Sequence, residues 1–201
     1  NYFILKFIRN NNFIMLIKDK IWTSWNKCIK HKYHELYTPN TEYEICSLIK
    51  NNTFTVRVIG QGKSSHDIVG GNDILISLVK YNQILNVCHK KRQITVQAGI
   101  ILDDLFQYIE YLNWELPTLP DIKTISLGGA ISTGTHGSGI FAQNLSNSMI
   151  KCNLIVANGD IITVYDDDEF MNAVRVSIGV LGILSTITLQ CVPKTKLFIK
   201  Q

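Results

Sequence analysis

Two glycine-rich segments constrain the fold of this chain more than any other feature of the sequence. The first, residues 60–67 (GQGKSSHD), directly follows a run rich in Val, Ile and Thr that predicts a strand over residues 53–59. The second covers residues 128–139 (GGAISTGTHGSG). Glycine permits sharp turns and brings backbone N–H groups close to a ligand. At each of these two segments we therefore expect a sharp turn, or a close approach of the backbone to another segment or to a ligand.

The pattern around these segments predicts mixed strands and helices. Asn40 and Thr41 are candidate N-caps of a helix running through Ile49. Leu102, Leu105, Phe106, Ile109 and Leu112 repeat at helical spacing. Further strands are predicted at residues 74–77, 84–88, 93–97, 149–156, 161–164 and 183–192, with a helix at 169–176. Residues 84–97 are predicted to form a hairpin around a charged turn. No structure is predicted for residues 1–20.

Composition excludes several classes of protein. Hydrophobic residues make up 46% of the 201 residues and charged residues 18%, so a sizeable core is expected and disorder is not. The net charge is +4, yet no dense basic run occurs beyond residues 89–92, which argues against a nucleic-acid partner. The N-terminal region lacks the ~18 uninterrupted apolar residues of a membrane span.

The five cysteines indicate a reducing compartment. They form no Cys-x-x-Cys pair, and their odd number and wide spacing argue against a disulfide framework or a zinc site. Buried, unreactive thiols are the default expectation. No metal site is predicted.

The chemistry of residues 60–67 suits a pyrophosphate. Successive N–H groups in such a turn form an anion-binding nest, to which Lys63, Ser64 and Ser65 add charge and donors. The segment is neither a Rossmann fingerprint, which would need glycine at position 65 and an immediate helix, nor a Walker loop. A tight surface turn without a ligand remains the alternative for this loop taken alone.

Four stretches together resemble a known family. Residues 58–67, the hairpin 84–99, residues 128–139 and the tail 173–192 are similar to the FAD-binding domain of the L-gulonolactone, aldonolactone and alditol oxidases. These oxidases belong to the vanillyl-alcohol-oxidase, or PCMH-type, superfamily. The resemblance implies an α+β fold of two α/β lobes with FAD between them. It places the domain at residues 22–193, with lobes 22–97 and 98–193, an N-terminal segment 1–21 of unclear role, and a further region beginning at 194–201.

The resemblance also implies which residues surround FAD. Residues 60–65 would wrap the pyrophosphate through their backbone, and Ile183 would meet the adenine end. The full set of implied cofactor-binding residues is Gly60, Gln61, Gly62, Lys63, Ser64, Ser65, His66, Asp121, Ser126, Gly129, Gly134, His136, Ser138, Gly139 and Ile183. His136 is interpreted as shaping the flavin loop, with a role as catalytic base as the alternative.

Two positions depart from the family pattern. Covalent members carry a histidine where this sequence has Lys63, so non-covalent FAD is expected, with His66 as a substitute link being the alternative. Pro120 stands where related oxidases often have glycine near the flavin face. Pro120 would favour dehydrogenase behaviour by hindering the access of oxygen to the flavin. The alternative is that it only makes a turn rigid.

The expected function is the FAD-dependent oxidation of a sugar lactone such as L-gulono-1,4-lactone or D-arabinono-1,4-lactone by hydride transfer to flavin. The family's substrate cap and most catalytic side chains lie C-terminal to this domain, so no catalytic residue is assigned within the chain. An inactive flavin-binding remnant and an alditol (polyol) oxidase remain as alternatives. The expected partner is therefore a small sugar lactone or polyol; membrane association and oligomeric state stay open.

Overall fold

The computed structural model describes residues 4–8, 12–51, 53–70 and 73–196 of the chain. These residues form two five-stranded sheets and one two-stranded ribbon, with four short helices. The ribbon consists of β8 (Trp114–Glu115) and β12 (Val192–Pro193). None of the helices in this described part is long and apolar enough to span a bilayer.

The first sheet is mixed, with spatial order β1-β2-β3-β5-β4. β1, β2 and β3 pair antiparallel, whereas β5 runs parallel to both of its neighbours, β3 and β4. Its strands are β1 (Ile4–Ile8), β2 (Asn12–Thr23), β3 (Lys30–Thr38), β4 (Val56–Ile59) and β5 (Ile74–Ser77). β4 is therefore an edge strand, and the first glycine-rich loop leaves directly from its end.

The second sheet is antiparallel throughout, with spatial order β10-β9-β11-β7-β6. Its strands are β6 (Ile84–Cys88), β7 (Gln93–Gln97), β9 (Met149–Ile155), β10 (Ile161–Tyr165) and β11 (Ile183–Gln190). β11 lies in the centre and is the most deeply buried of these strands, because it pairs with β7 on one side and β9 on the other.

Local sequence signals explain the two longer helices, α1 (Glu42–Lys50) and α2 (Leu102–Tyr111). Thr41 caps α1 through a capping box in which its hydroxyl accepts from the Glu44 N–H and the Glu44 carboxylate accepts from the Thr41 N–H. In α2 the predicted apolar positions are buried at helical spacing. The shorter helices are α3 (Leu127–Ser132) and α4 (Phe170–Val174).

One continuous core joins the two sheets. Tyr37 and Ile76 of the first sheet share this core with Ile94 and Ile187 of the second. A buried polar chain also crosses the junction, since the Ser185 hydroxyl donates to Glu42 of α1 at 2.6 Å. The hydroxyls of Ser185 and Tyr81 lie 2.9 Å apart. Burial raises the pKa of Tyr81, and the Glu42 carboxylate adds to this shift, so the phenol stays protonated and bridges the sheets.

The structure differs from the sequence prediction in the division into lobes. Residues 84–97 were assigned to the first lobe, but β6 and β7 belong to the second sheet, because β7 pairs with β11. The sheets therefore part between Ser77 and Ile84 rather than after Gln97. The described residues before Trp22 lie in β1 and β2 of the first sheet. Of the predicted further region, residues 197–201 fall outside the described residues, and the domain limits 22–193 stay a prediction.

The cysteines divide by burial. Cys152 and Cys191 are buried in the core, and burial raises the pKa of their thiols to about 11 and about 12. Both thiols are therefore protonated and unreactive near neutral pH, as expected. Cys28 is exposed, which corrects the expectation that the thiols are buried. It lies in the turn between β2 and β3 and not in a strand that packs against the core.

Candidate functional site

A cleft of 880 Å³ lies where the two sheets meet. On the side of the first sheet, its wall includes β4 and the loop that follows it. On the side of the second sheet, the wall includes the start of β11 and the end of β9. The segment from Pro120 to His136, which contains α3, contributes a third wall. The volume is in the range typical of cofactor sites, about 300–1,000 Å³.

The first glycine-rich loop is held in a tight turn against its surroundings. A Cβ on Gly60 would lie 2.0 Å from the Ser126 hydroxyl oxygen, so the two glycine-rich regions approach each other here. Gly62 has a φ of +60°, and a Cβ there would lie 2.8 Å from the Trp22 ring. Trp25 N–H donates to the Gly62 carbonyl at 3.2 Å. The turn between β2 and β3 thus supports the loop from behind and leaves its other face to the cleft.

The rest of this loop is pinned by polar contacts. The Lys63 ammonium lies 5.7 Å from the centre of the Trp25 ring, within cation–π range. The Asp67 carboxylate is 2.7 Å from His31 Nε2 of β3 and accepts the Gly70 N–H at 3.1 Å. These contacts tie Lys63 to the turn between β2 and β3, and Asp67 to β3. The loop geometry is therefore set by the protein itself.

The second glycine-rich segment begins as a helix rather than a loop. The Gly128 N–H donates to the Ala98 carbonyl at 2.8 Å, and a Cβ on Gly128 would lie 3.0 Å from the Ala98 Cβ. α3 therefore rests on the chain just after β7. Gly134 ends the helix with a φ of +68°, the left-handed conformation in which glycine follows many helices. The chain then passes His136, whose ring nitrogen Nδ1 is 2.9 Å from the Gly137 carbonyl.

The segment 176–183, of which residues 178–183 line the cleft, is conformationally unusual. Val176 and Ile178 are β-branched and have φ values of 58° and 53°, a region that such residues rarely adopt. The Ile178 N–H donates to the Ser132 carbonyl at 3.0 Å, which ties this segment to α3. A Cβ on Gly182 would lie 2.5 Å from the Ile155 carbonyl oxygen. Gly182 therefore lets Ile183 enter β11 close beside β9.

The structure brings most of the predicted site residues to this one cleft. Three of them, Ser65, Ser138 and Gly139, do not line it. Ser138 and Gly139 are exposed beyond His136, where the chain turns away toward residue 140. The residues that line it are Gly60, Gln61, Gly62, Lys63, Ser64, His66, Asp121, Ser126, Gly129, Gly134, His136 and Ile183. Their roles toward a cofactor stay predictions.

Sequence reasoning missed part of the lining. Trp22 was noted only as an aromatic anchor, yet its ring forms the floor beneath Gly62. Arg57 of β4 and the exposed Phe54 also line the cleft. Ala157 and residues 178–181 complete the opposite wall. The closely spaced Gly179 and Gly182 were a signal for this last segment, whereas nothing local distinguishes Phe54 or Arg57 from other strand-end residues.

Comparison with known protein families identifies the family to which this chain belongs. The family described as "FAD binding domain" matches residues 36–165, which is more than half of the chain. The chain belongs to this FAD-binding domain family. The match contains β4, the first glycine-rich loop and the whole of the second glycine-rich segment. The resemblance predicted from those motifs is therefore confirmed.

Relatives and solved structures agree with this family. The FAD-binding domain is 32% identical to L-gulonolactone oxidase of Bos taurus over 180 residues, 89% of this chain and 41% of that protein. It is 30% identical to L-gulono-1,4-lactone dehydrogenase of Mycobacterium tuberculosis over 176 residues, 86% of this chain and 41% of that protein. The chain thus spans about two fifths of the length of these relatives.

The fold is that of PCMH-type FAD-binding domains, as predicted. Cholesterol oxidase from Brevibacterium sterolicum superposes with a TM-score of 0.80 at 19% identity, covering 94% of this chain and 40% of that one. Alkyldihydroxyacetonephosphate synthase superposes with a TM-score of 0.74 at 16% identity, covering 83% of this chain and 33% of that one. At these identities the likeness concerns the fold alone.

The residues present fit FAD. Gly60 and Gly62 leave no room for a side chain behind the loop, so their backbone can face a ligand directly. The cleft lining also includes the apolar side chains of Ile49, Phe54 and Ala157. A polar turn in a cleft that also has apolar lining suits a pyrophosphate flanked by two ring systems. In the described part of the chain, no group of three His, Cys, Asp or Glu side chains is placed to hold a metal ion.

Proposed function

We propose that this chain is the FAD-binding part of an oxidoreductase that oxidises a sugar lactone of the L-gulono-1,4-lactone type. The supporting observation is the cleft between the two sheets, in which backbone of both glycine-rich segments is exposed to one ligand-sized space. The relatives named as a lactone oxidase and a lactone dehydrogenase suggest the substrate class. When bound, FAD supplies the acceptor for the hydride that leaves the substrate carbon.

The chain's own residues bind and orient the cofactor. The turn at Gly60–Gly62 offers N–H groups to the pyrophosphate, and the Trp22 and Trp25 contacts hold this turn in shape without the ligand. Gly129 and Gly134 present backbone to the flavin side, while Ile183 lies at the start of β11 toward the adenine end. His136 is exposed and bonded to a neighbouring carbonyl, which supports its role in shaping the loop.

We propose further that FAD is held non-covalently. Lys63 occupies the position of the linking histidine, and its ammonium is directed over the Trp25 ring rather than toward a carbonyl or carboxylate. His66, the alternative link, lines the cleft but is exposed, and its backbone N–H donates to the Ser64 hydroxyl. An exposed imidazole beyond the turn is less well placed to bond covalently to the flavin than a residue within the turn.

Acid precipitation of the flavin-loaded protein tests this attachment. All of the flavin colour is expected in the supernatant, because without a covalent bond unfolding releases the cofactor. The Lys63→Arg variant, which retains the charge, should behave in the same way. Flavin retained in the washed pellet of the wild type would refute the non-covalent proposal; its loss in a His66→Ala variant would then identify His66 as the link.

The substrate class is tested on the full-length protein loaded with FAD. Under anaerobic conditions, L-gulono-1,4-lactone or D-arabinono-1,4-lactone is expected to bleach the visible flavin absorbance, and a polyol such as xylitol is not. Bleaching by the polyol alone would favour the alditol oxidase alternative. A flavin-loaded protein that no lactone or polyol bleaches, although dithionite does, would favour the inactive remnant. Admitting oxygen afterwards shows whether oxygen serves as acceptor, which bears on the role of Pro120.

A further inference from the structure

We propose that Arg57 is a cofactor-anchoring residue whose guanidinium binds a phosphate oxygen of the dinucleotide. This inference rests on the proposed function, because it assigns a further contact to the same cleft. Arg57 lies in β4, three residues before Gly60, and lines the cleft. It lies within the predicted strand 53–59, and no role was predicted for it from the sequence.

The strand geometry directs Arg57 away from the main core. Val56 and Val58 pack against the large core, whereas Ile59 belongs to the smaller cluster on the other face of the sheet. Since side chains alternate along a strand, Arg57 shares the face of Ile59. β4 is the edge strand of its sheet, so a long side chain at this position can reach around the edge into the cleft. Arg57 is half-buried there.

The Arg57 guanidinium lacks a protein partner. Among the residues that the structure describes, none accepts a hydrogen bond from it or forms an ion pair with it. Arg175, which is also half-buried, is different, since it donates to the carbonyls of Ser146 and Met149 and pairs with Asp166. A half-buried cation that has no partner within the described protein is free to pair with an anionic ligand in the cleft that it lines.

The chemistry of the guanidinium selects the kind of anion. Its planar fork of N–H donors matches the oxygens of a phosphate, and such charge-assisted hydrogen bonds are stronger than neutral ones. Asp67, a carboxylate that also lines the cleft, already contacts His31 and the Gly70 N–H. The glycine turn and Arg57 therefore form two separate sets of donors for one pyrophosphate, the first from backbone and the second from a side chain.

Titration of the purified protein with FAD, in the wild type and in Arg57→Gln, tests this assignment. The variant is expected to bind FAD about 10- to 100-fold more weakly, the loss that one charge-assisted contact predicts. Its affinity should also depend less steeply on sodium chloride concentration. Arg57→Lys should be intermediate, because it keeps the charge without the fork. Lys90→Gln, an equal charge change in the exposed β6–β7 turn, should leave the affinity unchanged.

Thermal unfolding without FAD separates this role from a structural one. Apo Arg57→Gln should unfold at or above the wild-type temperature, because no protein contact is removed, whereas Arg175→Gln should unfold at a lower temperature. Equal FAD affinity in wild type and Arg57→Gln would overturn the inference alone, as would a large loss of apo stability in Arg57→Gln. Failure of the wild type to bind FAD at all would overturn the proposed function as well.

Discussion

Replacing Gly62 by valine is expected to weaken FAD binding by at least about 100-fold, the equivalent of losing two charge-assisted hydrogen bonds to the pyrophosphate. Gly62 has a φ of +60°, which disfavours any β-branched residue. The new Cβ would also lie 2.8 Å from the ring of Trp22, a residue of β2 that packs against the small cluster containing Ile59. The turn must therefore change shape and redirect its N–H groups.

Two variants distinguish loss of the binding turn from general damage. In Gly62→Ala the same positive φ strains the backbone, but the side chain is smaller. Its FAD affinity should therefore fall less, while the domain remains folded. Gly159→Ala, at a φ of +78° in the β9–β10 turn, has a comparable backbone cost but lies outside the cleft lining. It should lose stability and keep its FAD affinity. Wild-type affinity in a folded Gly62→Val protein would remove this turn from the site.

Replacing Gly99 by alanine is expected to lower the free energy of unfolding by about 3 kcal/mol, the upper part of the range for overpacking a rigid core. A Cβ at Gly99 would lie 2.0 Å from the Leu78 carbonyl oxygen and 2.4 Å from that of Tyr81. Both atoms belong to backbone, and the Gly99 N–H itself donates to the Tyr81 carbonyl at 2.9 Å. No side-chain rotation can relieve the overlap.

Gly179→Ala is the matched control for this second substitution. Gly179 has a positive φ, +74°, whereas Gly99 does not, and a Cβ at Gly179 would meet nothing within 4 Å. It should therefore cost only about 1–2 kcal/mol, from the left-handed backbone alone. In thermal unfolding, Gly99→Ala should lower the midpoint by about 6–12 °C and Gly179→Ala by clearly less. Equal midpoints would contradict the packing described around Gly99.

The local elements were predictable where the sequence carried a strong local signal. The Val- and Ile-rich runs of β4, β5 and β7 predicted strands, and Thr41 with Glu44 predicted the start of α1. α3 was predicted as part of a glycine-rich loop, because two of its six residues are glycine. It is helical because Leu127, Ala130 and Ile131 bury one face against the core, which outweighs the low helix propensity of glycine.

The pairing of the strands could not be predicted from local pattern. β7 pairs with β11 far along the chain, and that partner, rather than the hairpin itself, decides which sheet contains residues 84–97. β3 was missed because its Lys- and His-rich sequence has low apolar content, although exposed Lys30, Lys32 and His34 alternate with less exposed neighbours. The cleft likewise depends on distant segments meeting, so Arg57 could be identified as part of it only from the structure.

Titration of the purified protein with FAD, followed by flavin fluorescence and absorbance, tests most directly whether the cleft between the sheets is a flavin site. The structure predicts saturable one-to-one binding with quenched fluorescence and a dissociation constant in the micromolar range or below, since the glycine turn is shaped before the ligand arrives. It also predicts that Gly62→Val removes this binding from a folded protein. Unchanged flavin fluorescence at every protein concentration, in a protein shown by thermal unfolding to be folded, would contradict the assignment of this cleft to FAD.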